Sequence, residues 1–332
     1  MSCCANEASQ SCRSGASPRS RNILNTRHFI NLKDIPNESL HAILKNAHAL
    51  KRLKFFPPQI FSGLSLAMVF DKRSTRTRMS FEVAIKQLGG HTIVMNMDEM
   101  QLGGAESVES TATVLSRYVD GIMIRMSDQD LMEELARHSQ IPVINGMTDR
   151  SHPCQIMADI LTIEEKLGDI AGKKVAWFGD VNNVSNTLVD AAPIFGFDLV
   201  LACPEALHGR VPEGARVTAD PNEAAKNADV IVTDTWVSMG QEGKSLEIFE
   251  PYQVSRNIMA LANDHAIFMH CLPIHEWEEV SEEVAKSPAS VIYDEAENRL
   301  HAQKAILAWC LEDAGVSLRE SGFNFAEPPT RS

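Results

Sequence analysis

The sequence predicts an α/β protein: two parallel-sheet α/β domains joined by long interdomain helices, with the active site in the cleft between them. Three observations carry this prediction. Short apolar runs alternate with amphipathic helical stretches, and the alternation occurs twice along the 332 residues. A long helical stretch opened by Pro153 lies between the two sets, proline being suited to a first helical turn. The polar clusters DKRSTRTR, Arg125, HPCQ, GDVNN, DTW and HCLP follow predicted strands, and open α/β sheets bind ligands at such strand ends.

In the first set, residues 36–53 place Leu40, Ile43, Leu44, Ala47, Leu50 and Leu53 at helical spacing. The apolar run 64–70 reads as a buried strand, and a helix restarting at Ser74 puts Phe81, Ala84, Ile85 and Leu88 on one face. Strands are expected at 92–97, 121–124 and 141–144, and helices at 107–119 and 130–138. The helix from Pro153 ends near Gly168. The second set reads as strands at 174–178, 199–202, 230–233 and 266–269, with helices at 183–195, 221–228 and 252–261 between them. A last strand at 291–293 and a helix from Asn298 complete it.

Composition excludes several classes of function. A net charge of −13 opposes nucleic-acid binding and makes the basic cluster at 72–78 conspicuous. No apolar run reaches the ~18–20 residues of a membrane span. Seven cysteines without regular spacing indicate a reducing, cytoplasmic setting. Residues 1–26, rich in Ser and Cys and lacking an apolar face, are expected to form a disordered tail.

Ser74 at a helix start leaves the backbone N–H groups of Thr75, Arg76 and Thr77 facing outward. Joined to the positive end of the helix dipole and the guanidinium groups of Arg76 and Arg78, they form an oxyanion cradle. Arginines at a helix N-terminus call for a compensating anion. With no GKS or GKT, the segment is not a nucleotide P-loop, and GDVNN lacks the G-x-G-x-x-G of dinucleotide sites. None of the pairs among His152, Cys154, His270 and Cys271 has structural-zinc spacing, so no metal is expected. Arg125 at a strand end suits a further anion ligand, a neutral His152 at a helix start can polarise a carbonyl, and Asp234 can cap a turn or bind an ammonium. Cys271 fits apolar packing, and Leu272-Pro273 is an X-Pro bond open to the cis form.

Ser74-Thr75-Arg76-Thr77-Arg78, His152-Pro153-Cys154-Gln155 and His270-Cys271-Leu272-Pro273 together resemble the three signature motifs of the aspartate/ornithine carbamoyltransferases. Asp234-Thr235-Trp236-Val237-Ser238-Met239-Gly240, Asn182-Asn183 and Glu295-Ala296-Glu297-Asn298-Arg299 resemble the ornithine branch. The resemblance covers residues 27–318, departing at Cys154, where the family often has Thr. It implies a carbamoyl phosphate-binding domain at 27–165, an ornithine-binding domain at 166–297, and a helix at 298–318 packed back onto the first.

The implied carbamoyl phosphate ligands are Ser74, Thr75, Arg76, Thr77, Arg78, Gln101, Arg125, His152, Gln155, Cys271, Leu272 and Arg299. Arg125, His152, Cys271 and Arg299 are the implied catalytic residues, and Asn183, Asp234, Ser238 and Met239 the implied ornithine ligands. Gln101 is implied to reach across from a neighbouring subunit of a homotrimer. The implied reaction transfers the carbamoyl group of carbamoyl phosphate to the δ-amine of L-ornithine, in arginine metabolism, without cofactor or metal. The cationic site and Cys271 are expected to favour the neutral amine. N-acetylornithine, putrescine and aspartate are the rival acceptors; the DTWVSMG segment argues against them, and Asp234 suits a free α-ammonium that an acylated or decarboxylated substrate lacks. A non-catalytic module binding carbamoyl phosphate or ornithine is the rival of a different class.

Overall fold

Strand β1 (Ser65–Phe70) shows why a continuous apolar run forms the middle of a sheet. Its Leu66, Met68 and Phe70 enter one hydrophobic core, while Ala67 and Val69 enter another on the opposite face. The structure, a computed structural model, describes residues 26–100, 106–236, 246–275 and 277–312. Around β1 lie β2 (His91–Asn96), β3 (Gly121–Arg125) and β4 (Val143–Met147), all parallel, in the order β2-β1-β3-β4. The helices of this half are α1 (Asn37–Arg52), α2 (Thr75–Gln87), α3 (Val108–Tyr118), α4 (Gln129–His138) and α5 (Pro153–Leu167).

The second sheet is also parallel. It comprises β5 (Lys174–Phe178), β6 (Asp198–Ala202), β7 (Arg216–Thr218), β8 (Val230–Thr233) and β9 (Ile267–His270), in the order β7-β6-β5-β8-β9. Its helices are α6 (Asn183–Phe195), α7 (Pro221–Ala225), α8 (Arg256–Met259) and α9 (Glu282–Ala285), followed by α10 (Ile292–Leu311). In β5 the same alternation recurs: Val175 and Trp177 join the core that holds Leu66 and Met68, and Ala176 and Phe178 point to a separate one. One apolar cluster therefore runs through both halves. Helix α10 packs on α1, α2 and α5, so it belongs to the first half although it follows the second sheet in sequence.

Strand order places the ligand-binding crevices. Each chain half starts at a central strand, builds one flank and then crosses to the other, so β1/β3 and β5/β8 are topological switch points. Ser74–Arg78 follow β1 and Arg125 ends β3, while Asn182 follows β5 and Asp234 follows β8. At Arg125 the register against β4 slips: Ile124 pairs with Asn145, whereas Arg125 pairs with Met147. Gly146 is the extra residue. A Cβ there would lie 2.5 Å from Met123 Sδ and 3.0 Å from the Ile124 carbonyl oxygen.

Some elements differ from the sequence expectation. The strand expected at 291–293 and the helix expected from Asn298 are one helix, α10, beginning at Ile292. Three apolar residues carry no periodicity to tell strand from helix. Here only Ser290 bridges to Phe268, and Asp294 and Glu295 favour the positive end of a helix dipole. The edge strand β7 was not anticipated, and the helix expected at 252–261 shrinks to α8. Residues 1–25 of the expected tail, and 313–318 of the last helix, lie outside the described residues. Among the described residues no helix is long and apolar enough to cross a membrane.

The Gly146→Ala variant is expected to lose about 1–3 kcal/mol of stability, the usual cost of forcing a methyl into a packed site. Urea unfolding measures it, and a change below ~0.5 kcal/mol would show that the bulge tolerates a side chain.

Candidate active site

The site is built from the first turn of α2 outward. Ser74 occupies the N-cap with extended backbone (φ −153, ψ 109), yet its hydroxyl accepts no hydrogen bond from the helix. No acidic side chain stands in the first turn, so its N–H groups and dipole remain uncompensated. Thr77, one turn in, is fully buried. Its Oγ1 accepts from Arg125 Nη1 at 3.1 Å and from Arg299 Nη2 at 2.8 Å. Strand β3, helix α2 and helix α10 thus converge on a single hydroxyl.

Both arginines are buried, at 8 % and 4 % exposure, and each leaves its Nε without a protein partner. Burial, followed by repulsion from Arg299, pushes the Arg125 guanidinium down to about 10. Burial likewise lowers Arg299. Each still holds its proton at neutral pH. The exposed Arg76 adds a third cation within Coulombic reach of both. Arg78 is not part of this convergence; it lies on the outer face with its Nε 4.0 Å from Glu82. Such a concentration of buried cations and free helical N–H groups is a receptor for an anion.

His152 occupies the N-cap position of α5 beside these charges, with no capping bond from its side chain. Its backbone N–H donates to Thr187 Oγ1 of α6 at 2.9 Å, and its Nδ1 is buried without a partner. Burial first, then Arg299 and Arg125, hold the imidazole well below its ordinary range, so it is neutral at physiological pH. Three residues on, Gln155 donates through Nε2 to Asp159 at 2.8 Å and to Glu295 at 2.9 Å, leaving its Oε1 free of protein partners.

The second half contributes a polar edge. Asn182 caps α6 through its side-chain oxygen and donates through Nδ2 to Asp234 Oδ2 at 2.8 Å. Asn183 donates across the cleft to the Thr148 carbonyl at 2.6 Å. Cys271 donates through Sγ to Asp234 Oδ1 at 2.9 Å. Burial and the neighbouring Asp234 keep this thiol protonated, well above the usual range, so in this arrangement Cys271 is a neutral donor. The Leu272-Pro273 bond is cis, and Leu272 has a left-handed φ of +59, with its N–H donating to His270 Nδ1 at 2.9 Å. The other His270 nitrogen contacts Glu279 at 2.9 Å, so neither ring nitrogen is available to a metal, although Asp234, His270 and Cys271 cluster together.

Gln101, Ser238 and Met239 lie outside the described residues. Two residues beyond the sequence expectation border the site: Asp159 and Glu295. The signal for Asp159 was its position one turn after Gln155. Glu295 sat inside a recognised motif with no role attached.

Comparison with known proteins agrees with this geometry. Residues 27–165 match the model for the aspartate/ornithine carbamoyltransferase carbamoyl-P binding domain, and residues 171–310 match that for the Asp/Orn binding domain. The chain belongs to the aspartate/ornithine carbamoyltransferase family. It is 53% identical over 306 residues to the ornithine carbamoyltransferase of Brucella abortus, covering 87% of this chain and 97% of that one. The Caulobacter vibrioides ornithine carbamoyltransferase is 48% identical over 307 residues, covering 87% and 99% of the two chains. Among solved structures, the Pyrococcus furiosus ornithine carbamoyltransferase superposes with a TM-score of 0.81 at 45% identity, covering 86% of this chain and 97% of that one. The anabolic enzyme of Campylobacter jejuni superposes with a TM-score of 0.80 at 37% identity, covering 86% and 99%. This family membership makes the chain a transferase.

Burial of neutral histidines sets a pH dependence. His152 lies well below 6.5 and His301, fully buried in α10, is pushed down to about 4. Unfolded histidine binds a proton near 6.5 and the folded forms resist it. Their stabilisation is therefore complete above that pH and lost as pH falls toward 4. The Asp159–Glu295 pair, raised in the fold, acts with the opposite sign. The difference between parent and His301→Asn isolates one histidine: its removal is expected to reduce the acid-side loss by up to ~1.4 kcal/mol per pH unit, read by urea unfolding at pH 7 and 5. Parallel slopes would show that His301 protonates freely in the fold.

Proposed function

We propose that this chain is an ornithine carbamoyltransferase, transferring the carbamoyl group of carbamoyl phosphate to the δ-amine of L-ornithine to give L-citrulline and phosphate. The observation that carries this reading is the convergence of Arg125 and Arg299 on Thr77, with Arg76 nearby, at an edge facing Asp234, Asn183 and Cys271. A phosphate and an amino acid would meet there. Ser74, Thr75, Arg76, Thr77 and Arg78 hold the phosphate, with Arg78 turning in from Glu82 once an anion is present. Arg125, His152 and the Thr77 hydroxyl hold the carbonyl oxygen, and Gln155 and the Leu272 carbonyl accept from the carbamoyl NH2. Asn183, Asp234, Ser238 and Met239 hold the α-amino and carboxylate groups of ornithine.

In the reaction the neutral δ-nitrogen attacks the carbamoyl carbon and a C–N bond forms. The carbonyl oxygen gains negative charge, the C–O bond to phosphorus breaks, and phosphate leaves with its electron pair on oxygen. The amine proton passes to the departing phosphate or to solvent. Each donor to the oxyanion contributes roughly 3–4 kcal/mol, and fixing two substrates between closing domains contributes up to about 7–11 kcal/mol. Arg125, Arg299 and Arg76 favour the neutral amine over its ammonium, whose free pKa is close to the ~10.4 of lysine. Cys271 takes part as a thiol hydrogen-bonded to Asp234, in contact with the amine's binding group. The enzyme acts as a cytoplasmic homotrimer in arginine biosynthesis, with Gln101 contributed by a neighbouring subunit.

A citrulline colour assay with L-ornithine, N-acetylornithine, putrescine and aspartate is expected to give product with L-ornithine alone. Product with another amine would reassign the acceptor, and silence with all four would make the chain a binding module. The Arg76→Gly variant is expected to weaken carbamoyl phosphate binding by roughly 10- to 100-fold, the worth of charge-assisted hydrogen bonds. Unchanged affinity in calorimetry would refute the phosphate assignment.

A further inference from the structure

Behind Gln155 lies a buried acid pair that the reaction as described does not use. Asp159, one turn along α5, and Glu295, in the first turn of α10, are 3 % and 1 % exposed. Their carboxyl groups hydrogen-bond each other, which requires one proton between them. Burial pushes Asp159 up to about 7 and Glu295 well above the carboxylate range, in keeping with a single shared proton. Arg299, one turn beyond Glu295, balances the remaining charge.

This pair decides which way the Gln155 amide faces. Both Nε2 hydrogens are taken, by Asp159 Oδ1 at 2.8 Å and by Glu295 Oε1 at 2.9 Å. The Oε1 atom is turned away from the acids and is buried without a partner. A flipped amide would press its oxygen against two carboxyl oxygens whose one proton is already committed. The second oxygen of Glu295 accepts the backbone N–H of His270 at 2.9 Å. The His270 ring in turn accepts the Leu272 N–H at 2.9 Å and is held on its far side by Glu279. One carboxyl group therefore locks both a side-chain carbonyl on α5 and the turn that carries Leu272.

We propose that Glu295, braced by Asp159, is a positioning residue that aims two hydrogen-bond acceptors, Gln155 Oε1 and the Leu272 carbonyl, at the NH2 end of the acyl group, and so sets the preference for a carbamoyl over an acetyl phosphate. The inference rests on the carbamoyl phosphate reading above. An acetyl group has the same shape but offers a methyl where two acceptors need a donor, and sites built to hydrogen-bond a substrate N–H reject analogues lacking it.

Glu295→Gln breaks the lock, because Gln155 and His270 donate to different carboxyl oxygens, and an amide turns an NH2 group toward one of these donors. The test measures steady-state kinetics with carbamoyl phosphate and competitive inhibition by acetyl phosphate and inorganic phosphate, for parent and variant. In the variant kcat/KM for carbamoyl phosphate is expected to fall roughly 30- to 100-fold, while both inhibition constants stay within about threefold. If all three ligands weaken alike, Glu295 is merely structural and the inference falls. Asp159→Asn keeps an acceptor for Gln155 and offers Glu295 a donor without the shared proton. It is expected to hold the preference within about fivefold of the parent, and a collapse as large as that of Glu295→Gln would overturn the geometry. Failure of the parent itself to turn over carbamoyl phosphate would remove the underlying reading, a result distinct from any change in preference.

Discussion

Two buried guanidinium groups sharing one hydroxyl form the constraint on which the rest of the site depends. Arg125 and Arg299 repel each other, and a lone threonine oxygen does not neutralise them. Burying two like charges is unfavourable even with Asp71 near one and Asp159 near the other, and ample packing elsewhere offsets the cost. That packing exists here as a continuous apolar cluster running through both sheets and around α5 and α10. An anionic ligand would offset this repulsion, so the arrangement favours one.

The same arrangement explains why the two halves act together. Arg299 and Glu295 sit on a helix that follows the second sheet in sequence yet packs on the first half. Asn183 reaches across to Thr148, Thr187 receives the His152 N–H, and Glu295 holds the His270 backbone. These contacts couple the anion-binding edge to the edge presenting Asp234 and Cys271. A neutral His152 and a protonated thiol at Cys271 follow from the same low-dielectric setting: burial disfavours whichever form is charged.

Much of the fold was legible in local pattern. Apolar runs bounded by turn residues located most strands, and Pro153 and Ser74 marked real helix starts. The pattern failed where it was too short to hold a period, as at 291–293, and at the edge strand β7, whose three residues are mostly polar and half-exposed. In the site, STRTR and HPCQ announced a helix-start cradle and a neutral histidine. Arg78 illustrates the limit, since its place in the motif does not reveal that it pairs outward with Glu82.

By itself the sequence determined the α/β class, the strand-end position of the polar clusters and the resemblance that named the chemistry. These are local properties, set by side-chain period and by which backbone groups a helix start leaves unpaired. Only the tertiary structure decided that Arg299 meets Thr77 across 222 residues, that the Cys271 thiol donates a hydrogen bond to Asp234, and that the distant Glu295 joins the nearer Asp159 in accepting from Gln155. The reason is physical. Spacing along a chain fixes which face a residue occupies, whereas hydrogen-bond partners and proton positions depend on what the fold packs against that face.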